Sequence, residues 1–167
     1  MACSLCIDVF TAIIKGILQD KFSEIDNLTT EQYKALWAFT KRKDVFAILP
    51  TGHGKSLIFQ IMPDLCRRLN ELNFQYPSEA ILLVVCPLNS LIDSHLKELE
   101  KHGISATCLL NDKLDEVGIL AGNYSILFAN PESLIKNAKW REMLRNEIYQ
   151  NNLFGVVTDE AHVIPKW

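Results

Sequence analysis

Apolar and polar positions along this chain follow two alternating periods. Short apolar runs rich in β-branched residues lie at 44–49 (DVFAIL), 80–86 (AILLVVC), 104–110 (ISATCLL), 124–129 (YSILFA) and 153–158 (LFGVVT). Between them, 55–73, 88–102, 112–121 and 131–150 carry helical spacing or good helix formers, and 7–20 and 31–41 do so before the first run. Runs that are apolar throughout are expected of parallel strands covered on both faces. The alternation therefore predicts an α/β layered domain built on a mostly parallel central sheet. No repeat, low-complexity tract or Gly/Ser linker divides it. In open parallel sheets ligands collect at the carboxyl ends of the strands, so the chemistry is sought in the residues just after each run.

The first run leads into Pro50-Thr51-Gly52-His53-Gly54-Lys55-Ser56 and then a helix. Gly52 and Gly54 remove side chains, which lets successive backbone N–H groups curl around phosphate oxygens at the positive end of that helix. Lys55 is suited to reach the β and γ phosphates, and the Ser56 hydroxyl to bind Mg²⁺. Thr51 and His53 complete the candidate nucleotide loop, His53 as a solvent-facing residue. The general phosphate-loop pattern asks for glycine where this chain has Leu49. The plain alternative is a Gly-rich turn with an exposed lysine.

The last run ends in Asp159-Glu160-Ala161-His162. Two carboxylates at the end of a buried strand suit Mg²⁺ chemistry. Asp159 would hold the metal through its water shell, and Glu160 would orient and deprotonate an attacking water.

At 167 residues, 49% of them hydrophobic, the chain has the material for one domain with a sizeable core. Its net charge of −3 argues against a polycationic nucleic-acid coat but permits a local basic groove. The five cysteines form no regular framework, and Cys3 and Cys6 make a lone C-x-x-C without the second pair that a zinc site needs. A reducing compartment is expected. The apolar stretch VFTAIIKGIL is interrupted by Lys15 and lacks a basic leader, which predicts a soluble intracellular protein.

Five segments in order resemble those of superfamily 2 helicases, and of the RecQ family in particular. LPTGHGKSLIFQIMP is similar to the family's shorter loop P-T-G-x-G-K-[ST] followed by Gln-x-x-Pro, here Gln60 and Pro63. CPLNSL at 86–91 and NPESL at 130–134 resemble two strand-contacting segments, LTTEQ at 28–32 an adenine-contacting one, and DEAHVIPKW the motif D-E-A-H-x-I-x-x-W. The resemblance implies a three-layer RecA-like P-loop NTPase lobe, with residues 1–27 as a helical lead-in and 28–167 as the ATP-binding lobe, incomplete at its end. It implies ATP and Mg²⁺ as cofactors and Gln32 as the adenine contact. Pro87, Leu88, Ser90, Pro131 and Trp167 would meet DNA at a single strand or junction, RNA not excluded, and His162 would couple nucleotide state to that track. Leu28, Thr29, Cys86 and Ser133 depart from the family pattern, weakening adenine recognition and two strand contacts. The family continues with a second lobe carrying an arginine finger, so 167 residues alone are not expected to unwind DNA. For the parent protein the resemblance implies 3′-to-5′ unwinding, in the nucleus. The rival readings are a DEAH-type RNA helicase lobe and a nucleotide-dependent binding module without motor activity.

Overall fold

The computed structural model describes residues 5–50, 52–110 and 115–160. The chain divides into two compact units, Met1–Tyr76 and Pro77–Trp167.

The first unit is helical. Helix α1 (Ile7–Lys21) buries Phe10, Ile13, Ile14, Ile17 and Leu18, the stripe that a 3.6-residue period places on one face. Phe10 sits edge-on to Tyr33 and Trp37 of α2 (Thr30–Thr40), each at 5.0 Å between centroids. Helix α3 (Lys55–Glu71) is buried along most of its length and runs through Pro63. Its Asp64 receives Lys21 of α1 at 2.7 Å and Arg67 at 2.6 Å, so a nearly buried carboxylate is paired twice.

The expected strand at 44–49 does not form. Phe46 and Ile48 are 80% and 82% exposed, and the segment belongs to no ladder of the sheet. β propensity measures how a residue fits beside cross-strand neighbours, and without a neighbour it does not make a strand.

The second unit carries the sheet: β1 (Ile81–Val85), α4 (Asn89–Lys101), β2 (Ala106–Cys108), α5 (Glu116–Leu120), β3 (Ile126–Ala129), α6 (Pro131–Lys136), α7 (Ala138–Arg145), α8 (Glu147–Asn152) and β4 (Leu153–Thr158). Among the described residues four strands lie parallel in the order β2-β3-β1-β4. Alternate residues face opposite sides. Ile81, Leu83, Leu127 and Ala129 join Ile119, Trp140, Met143 and Tyr149 on the face covered by α5, α7 and α8. On the other face Phe128 meets α4, where the His95 ring stacks on it. This unit is thus helix, sheet and helix in three layers.

The expected strands at 80–86, 104–110 and 124–129 are trimmed, and 153–158 stands as expected. Not every strand is covered twice, because β4 ends the sheet and Val156 is 57% exposed. The helix expected over 131–150 is three helices. Asn137 and Asn146 break it, each turning its side-chain oxygen onto a backbone N–H of the following helix, a local bond that competes with helix continuation.

Tyr149 anchors α8. It is fully buried and its hydroxyl donates to the Ile119 carbonyl. Tyr149→Phe leaves that carbonyl unpaired and is expected to cost about 1–2 kcal/mol at neutral pH, measured by urea unfolding. Burial raises the Tyr149 pKa from 10.0 to about 12. The neutral phenol's contribution is therefore complete below pH 10 and is lost as pH climbs from 10 towards 12. The phenylalanine variant lacks that part of the alkaline loss.

Candidate nucleotide and nucleic-acid sites

The loop before α3 is shaped by its two glycines. Gly52 has φ +80° and Gly54 φ +64°, left-handed values that an L side chain adopts only with strain. A Cβ on Gly54 would also lie 2.7 Å from Gln32 Nε2. The turn is closed by the His53 N–H on the Pro50 carbonyl at 3.2 Å, and α3 starts with the Leu57 N–H on the Gly54 carbonyl at 3.2 Å. Gly54 has no side chain to cap the helix, so the first N–H groups of α3 are available to an anion at its positive end. Lys55 reaches back across the loop, its Nζ 3.4 Å from the Leu49 carbonyl oxygen. Ser56 is half-buried and His53 exposed.

Gln32, the residue the resemblance assigns to adenine, is bonded to this loop. Its Oε1 accepts the Thr29 N–H while Thr29 caps Gln32 in return, and its Nε2 donates to the carbonyls of His53 at 3.2 Å and Gly54 at 3.0 Å. Both ends of the amide are thus engaged, which ties the start of α2 to the loop. The signal was present in Thr29-x-x-Gln32, the spacing of a capping box.

In the second unit, Asp159 extends β4 by donating its N–H to the Val85 carbonyl at 2.9 Å. Its Oδ1 accepts the Glu160 N–H at 3.0 Å, and its Oδ2 lies 3.2 Å from His95 Nε2. Glu160 has φ +54°, a left-handed conformation that costs a non-glycine residue on the order of 1 kcal/mol and is met at functional sites. No group of three His, Cys, Asp or Glu side chains able to hold a metal occurs among the described residues. The Asp159 carboxylate carries hard oxygens, the kind of donor that Mg²⁺ takes while keeping much of its water.

The segments after β1 and β3 come together. Leu88, Asn89 and Ser90 are exposed at the start of α4, which opens without a side-chain cap, and Pro87 is half-buried. Pro131 is the first residue of α6, capped by Asn130, whose Nδ2 donates to Asn89 Oδ1 at 3.4 Å. Cys86 is fully buried, and its thiol donates to the Leu88 carbonyl at 3.7 Å. Burial, opposed by that hydrogen bond and reinforced by the Asp159 and Glu160 charges, pushes the thiol up. The Ser133 hydroxyl is spent locally on the Asn130 carbonyl. Thr51, His162 and Trp167 lie outside the described residues.

Residues 29–167 match the family model described as "DEAD/DEAH box helicase". The chain belongs to the DEAD/DEAH box helicase family. Among curated proteins it is 30% identical over 163 residues to "ATP-dependent DNA helicase Q1" of Rattus norvegicus, spanning 92% of this chain and 24% of that protein. To "ATP-dependent DNA helicase Q-like SIM" of Arabidopsis thaliana it is 31% identical over 157 residues, covering 92% and 16%. "ATP-dependent DNA helicase RecQ" of Synechocystis sp. is 27% identical over 148 residues, covering 85% and 28%. The chain thus spans about a quarter or less of the rat and Arabidopsis proteins. In fold it is similar to the DUF1998 helicase MrfA, solved bound to DNA and AMPPNP, with a TM-score of 0.66, 22% identity, and coverage of 90% of this chain and 21% of that one. With the parallel sheet and the family match, this likeness supports a RecA-like fold.

The side chain that meets Asp159 was missed from the sequence. His95 sits between Ile92 and Leu99 on the buried stripe of α4, where an apolar residue is the rule. A polar residue on that stripe was the available signal.

Proposed function

We propose that this chain is the ATP-binding lobe of a RecQ-type helicase, which in a longer protein couples ATP hydrolysis to 3′-to-5′ unwinding of DNA in the nucleus. The observation that carries the reading is the loop at the start of α3, where two left-handed glycines and an uncapped helix end present N–H groups beside Lys55 and Ser56. The family match over 29–167 and the DNA-helicase names of the relatives support it.

The loop N–H groups and Lys55 hold the triphosphate, with Thr51 and His53 flanking it. Gln32 fixes the loop's shape through its two carbonyl contacts and turns towards adenine only by exchanging one of them. Ser56 and Asp159 are the protein oxygens for Mg²⁺, which when bound supplies charge neutralisation at the phosphates. Glu160 takes the proton of the attacking water. Pro87, Leu88, Ser90, Pro131 and Trp167 contact the strand backbone, which positions nucleic acid without reading bases. His162 couples the two events.

The test is ATP hydrolysis by the longer protein with DNA or RNA strands of equal length. Stimulation by DNA, with unwinding of a duplex bearing a 3′ tail, is expected. The 167-residue chain alone should not unwind, because the arginine that stabilises phosphoryl transfer lies on a second lobe in this family. Stimulation by RNA only would turn the assignment to an RNA helicase, and nucleotide binding without stimulated turnover to a non-motor module.

A further inference from the structure

We propose that His95 is a positioning residue for Asp159, fixing the carboxylate's plane for the hydrated Mg²⁺ that the proposed ATPase requires; the inference rests on that functional reading and deepens it. His95 projects from the second turn of α4, and its ring stacks on Phe128 of β3 at 5.6 Å and 5° between planes. Phe128 is fully buried, so the plane of the imidazole is set by the core. That plane carries Nε2 to 3.2 Å from Asp159 Oδ2. The two side chains are only 13% and 16% exposed, so water competes weakly for the bond.

The opposite oxygen of Asp159 is held by the Glu160 N–H. A carboxylate at the end of a strand can rotate about its last torsion. Bonds to both oxygens from two directions stop that rotation. A metal bound through water needs its carboxylate acceptors in fixed places, and partners of this kind orient the ligand without touching the metal. The geometry asks for an imidazole with a proton on Nε2, donating to Asp159. Simple packing of His95 on Phe128 would not require that tautomer, nor an N–H at that point.

Two measurements on the 167-residue chain test this. In the native protein, ¹⁵N spectra of the labelled imidazoles are expected to show His95 protonated on Nε2, with its resonances moved by Asp159→Asn. A proton on Nδ1 instead, leaving bare Nε2 against the carboxylate, would overturn the proposal without any His95 variant. The second is binding of a fluorescent ATP analogue as Mg²⁺ is varied. His95→Leu should raise the Mg²⁺ needed for half-maximal binding about tenfold, the lower end of losses seen when a ligand's orienting partner is removed. His95→Gln, whose amide N–H can stand at the same point, should restore it. An unchanged Mg²⁺ requirement in His95→Leu, or no rescue by glutamine, reduces His95 to a packing residue. The functional reading fails separately, by native protein that binds no nucleotide at any Mg²⁺ concentration.

Discussion

Lys55→Ala is expected to weaken ATP-analogue binding about 10- to 100-fold while leaving the thermal unfolding of the chain unchanged. A hydrogen bond to a charged partner is worth about 1.5–3 kcal/mol, and each 1.4 kcal/mol is a factor of about ten in affinity. In the structure Lys55 contacts the Leu49 carbonyl at 3.4 Å, a long bond whose loss costs the fold little. The loop's shape rests instead on Gly52, Gly54 and the Gln32 amide, none of which the substitution touches. Binding and stability should therefore separate. Fluorescence titration beside a circular-dichroism melt reads both, and equal affinity in the two proteins would mean that this loop does not hold phosphate.

The separation follows from where the loop's information lies. Gly52, Gly54, Lys55 and Ser56 are near neighbours in the chain and their geometry is local, so the sequence displayed it directly. The sheet was nearly as legible: β4 falls on the run at 153–158, and β1 and β3 lie inside theirs, because continuous apolar runs have one economical use in an α/β unit. The run at 44–49 is also largely apolar and forms no strand, since pairing depends on a neighbour far away in the chain that composition does not specify. Asn137 and Asn146 hid their effect for the opposite reason. A helix interrupted by two residues keeps its 3.6-residue spacing on either side, and only the local competition of the asparagine amides shows the breaks. Gln32 and His95 fall between these cases. Each carried a local signal, a capping box and a polar residue on a buried stripe, yet the partners that give each its role, the loop carbonyls and Asp159, come from other elements.

Glu160→Gln is expected to leave nucleotide affinity within about twofold and to lower turnover about 10²- to 10⁴-fold in the longer protein proposed to carry this lobe, the range over which a positioned general base acts. Glutamine preserves the size of the side chain and the hydrogen-bonding capacity of its oxygen, but it cannot take a proton from water. The backbone supports this choice of variant. Glu160 follows Asp159 in a left-handed conformation, with its N–H on Asp159 Oδ1, and both features survive a side-chain amide. Glu160→Gly also removes the base but relieves the positive φ, so it should lose turnover while gaining up to about 1 kcal/mol of stability. Single-turnover hydrolysis and urea unfolding of the two variants distinguish the carboxylate's chemistry from its geometry. If both lose turnover and only the glycine variant gains stability, the strain at Glu160 is the cost of aiming the base. Full turnover in the glutamine variant would place the base elsewhere.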